Sequence, residues 1–276
     1  MLLAGRKRMG GLRRTAGIAL RQYYLLRSSP ARVLSVYAWI LINITLWGFI
    51  SRYLNLATAS GVDFVPMLLG AVLLWDFFGR VMHGVTTSFL EDVWSQNFLN
   101  LFASPLSIRE YIAGLVLIST ALGLLGLLAM VVLATLAFGL HFFAYGLMLA
   151  PFLLILFLFG IALGIFGISI VLRFGPASEW LVWPLPAIVT PFAAVFYPVA
   201  TLPDWMQRVS KLLPPSYVFE GLRSIVAGAS PPADGLIMGF VLCGIYIMAA
   251  SWTFVRTYKT VTRSGLLARY KAEGST

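Results

Sequence analysis

Residues 91–114 read EDVWSQNFLNLFASPLSIREYIAG and form a segment of mixed polarity between two strongly apolar runs. The first apolar run extends from residue 64 to about residue 90, and the second covers residues 111–140. A polar segment between two runs of this length has to lie at a water interface if both runs cross a membrane.

The same segment is predicted to be an amphipathic helix that lies along the membrane surface. On a helical wheel, Val93 and Asn97 share one side, and Trp94 and Phe98 lie beside them. Pro105 ends this helix, because a proline disfavours helical backbone at the residue before it. The next span is expected to begin near residue 110.

The composition excludes a soluble domain. Of the 276 residues, 60% are hydrophobic and only 11% are charged, whereas soluble domains carry about 25% charged residues. We therefore predict an all-α polytopic membrane protein. The formal net charge of +10 comes from basic residues clustered near the two ends of the chain, which indicates contact with anionic lipid headgroups and no nucleic acid partner.

Six membrane spans are predicted, at residues 33–50, 64–90, 111–140, 144–172, 181–199 and 235–255. The fifth span is expected to be kinked or discontinuous, because it contains Pro184, Pro186, Pro191 and Pro198. Glycines in the third and fourth spans permit close helix packing. Together with the tight turn at residues 141–143, they predict that these two spans form a helical hairpin.

Three further segments flank or connect the spans. Residues 1–32 are basic, carry no acid and have apolar residues at helical spacing, which predicts an interfacial amphipathic helix. A disordered basic tail is the alternative. Residues 200–234 are predicted to form two short amphipathic helices, and residues 256–276 a basic tail.

The positive-inside rule gives the orientation. With the N-terminus inside, fifteen basic residues fall in the inner segments and four in the outer ones, namely Arg52, Arg208, Lys211 and Arg223. Both termini and residues 91–109 are therefore predicted to be cytoplasmic, and residues 200–234 extracytoplasmic.

No catalytic or metal-binding motif is visible. None of the four lysines follows a glycine, so the chain has no P-loop, and it contains no HExxH, CxxC or GxSxG pattern. Two histidines, His83 and His141, and the single Cys243 are too few for a histidine- or cysteine-based metal site. We expect no enzyme activity and no cofactor in this chain, so any energy source has to lie on another chain.

Asp76 and Arg80 stand four residues apart on one face of the second span. A charge at the bilayer centre costs roughly 2.5–3.5 kcal/mol on insertion scales, and pairing reduces that cost. The sequence leaves two interpretations of this intramembrane ion pair: a structural pair, or a pair that lines a cavity or gate.

Two stretches and the layout of the spans resemble the ABC-2 type permease, the membrane half of a type V (ABCG-like) ATP-binding-cassette exporter. Residues 90–117, LEDVWSQNFLNLFASPLSIREYIAGLVL, place Ser104-Pro105 after an amphipathic helix. Residues 197–228, YPVATLPDWMQRVSKLLPPSYVFEGLRSIVAG, carry LP-x-W followed by P-x-Y-x-x-E-x-x-R. The resemblance covers nearly the whole chain.

The resemblance implies that two copies of the chain pair, and that two separate ATPase chains, which bind ATP and Mg, dock below them. Residues 91–103 would be a coupling helix that enters a groove on the ATPase, and the N-terminal helix would be a connecting helix that also contacts it. The ATPase-coupling residues implied are Glu91, Asp92, Trp94, Asn97, Phe98, Leu101, Ser104 and Pro105.

The same resemblance implies a pathway between the two copies, lined mainly by the first, second and fifth spans. Short re-entrant helices within residues 200–234 would cap the exit. The cavity or gate residues expected are Asn43, Trp47, Phe77, Arg80, Phe192, Phe196 and Tyr197, and ordinary packing or lipid contact is the alternative for each aromatic residue.

The expected function is that of a permease subunit in a bacterial inner membrane, exporting an amphipathic drug, lipid or glycolipid. An ion-coupled secondary transporter or channel is the alternative, but that class needs buried acids in several spans and usually an internal repeat. Only Asp76 is clearly intramembrane, and no repeat is visible. A lipid-modifying enzyme would need clustered Asp, His or Ser near an interface, which the sequence does not offer.

Overall fold

The computed structural model describes residues 2–28, 30–58, 63–95, 97, 101 and 105–264, and all regular structure within them is helical. The helices are α1 (Leu2–Arg27), α2 (Pro30–Ala57), α3 (Gly70–Trp94), α4 (Ile108–Phe138), α5 (Leu149–Phe174), α6 (Glu179–Val182), α7 (Leu185–Val189), α8 (Asp204–Ser210), α9 (Pro214–Val226) and α10 (Ala233–Arg263). A π-helical turn, Val65–Leu69, leads into α3, and a 3₁₀ turn, Phe142–Met148, leads into α5.

Five helical segments of the described chain are long and apolar enough to cross a membrane, so the predicted class of integral membrane protein is confirmed. They are Tyr37–Ala57, Val65–Trp94, Ile108–Phe138, Phe142–Phe174 and Ala233–Arg263. A sixth span stays a prediction.

The predicted fifth span, residues 181–199, is not one continuous helix. Only α6 and α7, within Glu179–Val189, are α-helical, and the chain then turns through Ala194, whose φ of 51° is left-handed, before a 3₁₀ turn at Val199–Thr201. Two hydroxyl groups donate to backbone carbonyls of this segment, where the prolines supply no N–H donors. Thr190 donates to the carbonyl of Pro186 at 2.8 Å, and Tyr197 donates to the carbonyl of Pro191 at 2.8 Å.

Two boundaries of membrane spans differ from the predicted ones. The second span was expected to end at Leu90, but α3 continues to Trp94. The third span begins at Ile108, because Ser107 and Glu110 form a capping box in which each side chain accepts the other residue's backbone N–H.

The predicted hairpin of the third and fourth spans is wrong. Helix α3 packs along both α4 and α5, whereas α4 and α5 barely touch each other. The glycines of α5 face α3: a Cβ on Gly160 would lie 3.1 Å from the carbonyl oxygen of Phe78, and one on Gly164 would lie 3.0 Å from that of Met82. A glycine stripe shows which face of a helix is closely packed, but not which helix packs there.

The remaining helices complete a bundle with two distinct ends. Helix α10 packs along α5, α9 packs against α10 and α5, and α1 lies along α4. We call one end the basic end: it holds the end of α3, the start of α4, the ends of α5 and α10, and α1. The opposite end holds α8 and α9. Described basic residues at the basic end include Arg14, Arg21, Arg109, Arg173, Arg256, Lys259 and Arg263.

The close approach of α5 to α3 gives a stability prediction. Gly164→Val places a branched side chain against the Met82 carbonyl and Val85, and overpacking of this kind costs about 1–3 kcal/mol. We expect a lower thermal unfolding temperature in detergent. Gly244→Val is the matched control, because a Cβ on Gly244 meets nothing within 4 Å; equal effects of the two substitutions would contradict the packing described.

Candidate functional site

A buried carboxylate joins three helices at the basic end. The side chain of Asp92, in the last turn of α3, is 0% exposed and lies 2.5 Å from the guanidinium of Arg21 in α1. The hydroxyl of Tyr111, in α4, donates to the other oxygen of the Asp92 carboxylate at 2.7 Å. An unpaired buried charge is strongly unfavourable, so Asp92 holds this position together with Arg21 and Tyr111. We call these three residues the carboxylate junction.

A second ion pair fastens α1 to the start of α4. The Arg14 guanidinium donates to Glu110 at 2.7 Å, and the same carboxylate accepts the backbone N–H of Ser107 at 2.9 Å. Glu110 therefore caps α4 and binds α1 with one side chain. The hydrogen bond to Glu110 raises the pKa of the Arg14 guanidinium above its ordinary value.

Close contact with α4 also holds α1 on the bundle. A Cβ on Gly114 would lie 2.7 Å from the Cβ of Ile18 and 3.0 Å from the carbonyl oxygen of Thr15. Ile18 is buried, and the side-chain amide of Gln22 donates to the carbonyl of Ser88 at 3.4 Å. The N-terminal helix is thus packed on the bundle along its length from Arg14 to Gln22.

The first three predicted coupling residues lie in α3 and not in a separate surface helix. Glu91, Asp92 and Trp94 belong to the last turn of α3, and Asp92 faces the bundle interior, where it cannot contact a partner chain. The helix runs past the predicted end because the charge of Asp92 is paired with Arg21 rather than exposed to water. Trp94 is 51% exposed.

Two backbone hydrogen bonds are described for the residues that follow α3. The backbone N–H of Asn97 donates to the carbonyl of Asp92, and that of Leu101 donates to the carbonyl of Asn97, both at 3.0 Å. Pro105 is exposed. Phe98 and Ser104 lie outside the described residues.

Asp76 and Arg80 face α4 within the bundle. Their side chains form an ion pair, in which the Arg80 guanidinium also donates to the second Asp76 oxygen at 3.3 Å. A Cβ on Gly126 would lie 2.8 Å from Cδ of Arg80, so this glycine makes room for the arginine stem. Phe77 is buried on the same side of α3, 3.6 Å from where a Cβ on Gly123 would lie.

The other expected pathway residues gather around the broken segment that follows α7. Trp47 of α2 stacks on Phe196 with ring centroids 4.4 Å apart, and Phe192 contacts Trp205 edge-on at 6.0 Å. Asn43 donates to the carbonyl of Trp39 in its own helix at 3.1 Å. The structure therefore brings Trp47 and Phe196 together, while Phe77 and Arg80 face α4.

One further ion pair among the described residues, at the opposite end of the bundle, was not predicted from the sequence. Glu220 of α9 accepts the backbone N–H of Val199 at 2.6 Å and the Arg223 guanidinium at 2.9 Å. Arg223 also reaches the carbonyl of Val195 at 3.5 Å. Glu220 and Arg223 are the acidic and basic residues of the E-x-x-R pattern. The sequence shows this pattern, but it does not show that the two side chains hold residues 195–199.

The chain was compared with known proteins. A family model described as ABC-2 type transporter matches residues 27–227, from the end of α1 to just beyond α9. A search of curated proteins gives no match.

The carboxylate junction predicts how α1 responds to loss of charge. Asp92→Asn leaves the Arg21 guanidinium, only 26% exposed, without its carboxylate. We expect the free energy of unfolding to fall by about 2 kcal/mol. This is less than the cost of breaking a fully buried ion pair, because Arg21 is partly hydrated. Thermal unfolding and amide hydrogen exchange of α1 measure it.

Two further variants test the cause. Arg21→Met with Asp92→Leu should recover most of the stability, because replacing a whole buried pair by apolar side chains is often neutral. Arg13→Gln, at an exposed position of α1, is the control for lost charge. Wild-type stability of Asp92→Asn, or no recovery in the double variant, would show that the junction does not hold α1.

Proposed function

The chain belongs to the ABC-2 type transporter family, and from that premise we propose that it is the membrane-spanning subunit of an ATP-driven exporter. The resemblance inferred from the sequence is confirmed by this family match. Domains of this family are transport permeases that generally work with an ATPase subunit. In our proposal two ATPase chains bind ATP and Mg, and this chain binds neither.

The observation that supports an attached ATPase is the arrangement of the basic end. Residues 95–107 connect α3 to α4, so a force on them acts directly on both helices. The carboxylate junction and the Arg14–Glu110 pair tie α1 to the same two helices. A partner that grips this connection would therefore move α1, α3 and α4 together.

Trp94 is the proposed anchor for that partner. Its ring is half exposed at the very end of α3, beside Glu91 and next to the connecting residues. Exposed tryptophans surrounded by polar residues are frequent energetic centres of protein interfaces. Asn97, Leu101 and Pro105 extend the proposed contact, whereas Asp92 acts as a positioning residue inside the bundle.

The proposed orientation places the basic end in the cytoplasm of a bacterium, because basic residues concentrate there. Both termini then lie inside, and α8 and α9 face outward over the inner membrane. Glu220 and Arg223 would hold the loop of residues 195–199, including Tyr197, as part of an outer gate.

A second copy of the chain is the proposed partner within the membrane. Much of α2 is exposed, and its residues between Leu41 and Tyr53 form an open apolar surface. Together with Trp47, Phe192 and Phe196, this surface suits an amphipathic substrate such as a drug, lipid or glycolipid. Asp76 and Arg80 would hold α3 against α4, since Gly126 accommodates the arginine.

The experiment combines affinity purification from the source membranes with reconstitution. We expect a P-loop ATPase chain to co-purify and its hydrolysis to respond to this subunit. Trp94→Ala should weaken the association about tenfold or more, as loss of an interface anchor does. Trp205→Ala is the matched control, because Trp205 is 60% exposed at the opposite end.

Two results would contradict the proposal. Equal association of both tryptophan variants would remove the basic end as the docking surface. Transport by the purified chain alone, driven by an ion gradient without ATP, would favour an ion-coupled carrier instead.

A further inference from the structure

A groove of about 530 Å³ lies at the basic end between the end of α5 and the last turns of α10. Arg173 and Phe174 line it from α5, and Trp252 and Arg256 from α10. We call these four residues the arginine groove. Thr253, Thr257, Thr260 and Val261 complete its wall.

The two guanidinium groups of the arginine groove have aromatic neighbours instead of carboxylates. Arg256 lies 4.9 Å from the ring centroid of Trp252, and Arg173 lies 5.7 Å from that of Phe174. Within the described part of the chain neither forms a salt bridge, whereas Arg21 and Arg80 each pair with an aspartate. Cation–π contact positions a guanidinium but leaves its charge uncompensated, so both remain available to an anion from outside.

The groove lies at the depth of lipid headgroups. From Asp234 to Arg256, helix α10 rises about 33 Å at 1.5 Å per residue, slightly more than the ~30 Å hydrocarbon core. Trp252 is one turn closer to the bilayer centre, at the level where tryptophans concentrate in membrane proteins. The guanidinium groups therefore meet the phosphate layer of the membrane.

The chemistry of the groove selects an anionic oxygen ligand. The hydroxyls of Thr253 and Thr260 donate to carbonyls of their own helix, at 2.8 and 3.0 Å. Among these groups the strong donors left for a ligand are the two guanidinium groups, which suit phosphate because they can bind it with two parallel hydrogen bonds.

An apolar stripe connects the groove to the hydrocarbon region. Along α10, Val241, Ile245, Met248 and Trp252 follow one another at helical spacing, and each is about half exposed or more. Acyl chains of a bound lipid can pack on this stripe, whereas free phosphate gains nothing from it. Basic pockets between membrane helices on the cytoplasmic side are a known setting for anionic lipids.

We propose that the arginine groove binds the phosphate group of an anionic phospholipid whose acyl chains lie along the exposed stripe of α10. This site is separate from the proposed ATPase contact and needs no ATPase chain. It can be tested on the purified subunit, so its failure would leave the proposed transport function unaffected.

The experiment measures lipid adducts of the purified subunit by native mass spectrometry, with phosphatidylglycerol and phosphatidylcholine of identical acyl chains. The test variant is Arg173→Gln with Arg256→Gln. The matched control is Lys259→Gln with Arg263→Gln, which removes the same charge from α10 outside the groove. Circular dichroism and gel filtration verify that both variants fold.

Wild type and control should bind phosphatidylglycerol about tenfold more tightly than phosphatidylcholine, because the choline ammonium offsets the phosphate charge that the two guanidinium groups of the groove attract. The test variant should bind both lipids alike. Retention of the preference in the test variant, or an equal loss in the control, would overturn the proposal. Tighter binding of inorganic phosphate than of phosphatidylglycerol would show a free-anion site and overturn the assignment to lipid.

Discussion

The carboxylate of Asp92 lies in the last turn of α3 with no exposure to solvent, and two other helices supply its ion-pair and hydrogen-bond partners. Arg21 neutralises its charge and Tyr111 donates to its free oxygen. If α1 left the bundle, the Asp92 carboxylate would remain in an apolar interior without its charged partner, which is strongly unfavourable. The packing of α1 on the bundle and the extension of α3 to Trp94 both depend on this contact.

At the opposite end, another ion pair holds a non-helical segment in place. Glu220 and Arg223 of α9 bind the backbone of residues 195–199, where the chain has left helical geometry and needs outside donors and acceptors. Between the two ends, Gly160 and Gly164 let α5 pack directly on α3. The bundle thus has a tightly packed middle, with side-chain ion pairs at both ends, which suits the transmission of a force applied at one end.

Features that depend on residues close together in the sequence could be predicted from the sequence. Hydropathy located five spans, proline positions located the break after α7, and helical spacing of apolar residues located α1. The errors concern contacts between residues that lie far apart in the sequence. Asp92 is predicted to contact the ATPase because its partner Arg21 belongs to another helix. The glycines of the fourth span are predicted to pack on the third span because a small residue does not show which helix packs against it. The E-x-x-R pattern was seen, but only the folded chain shows that it holds residues 195–199.

The central claim is that the basic end faces the compartment that supplies ATP. Cysteine accessibility measures this most directly, because the native Cys243 is buried and can be replaced by serine. Ser95→Cys, beside the end of α3, and Lys211→Cys, at the opposite end, would each be treated with a membrane-impermeant maleimide. The account predicts labelling of Ser95→Cys only in inside-out vesicles and of Lys211→Cys only in intact cells. Labelling of Ser95→Cys from outside intact cells would contradict it.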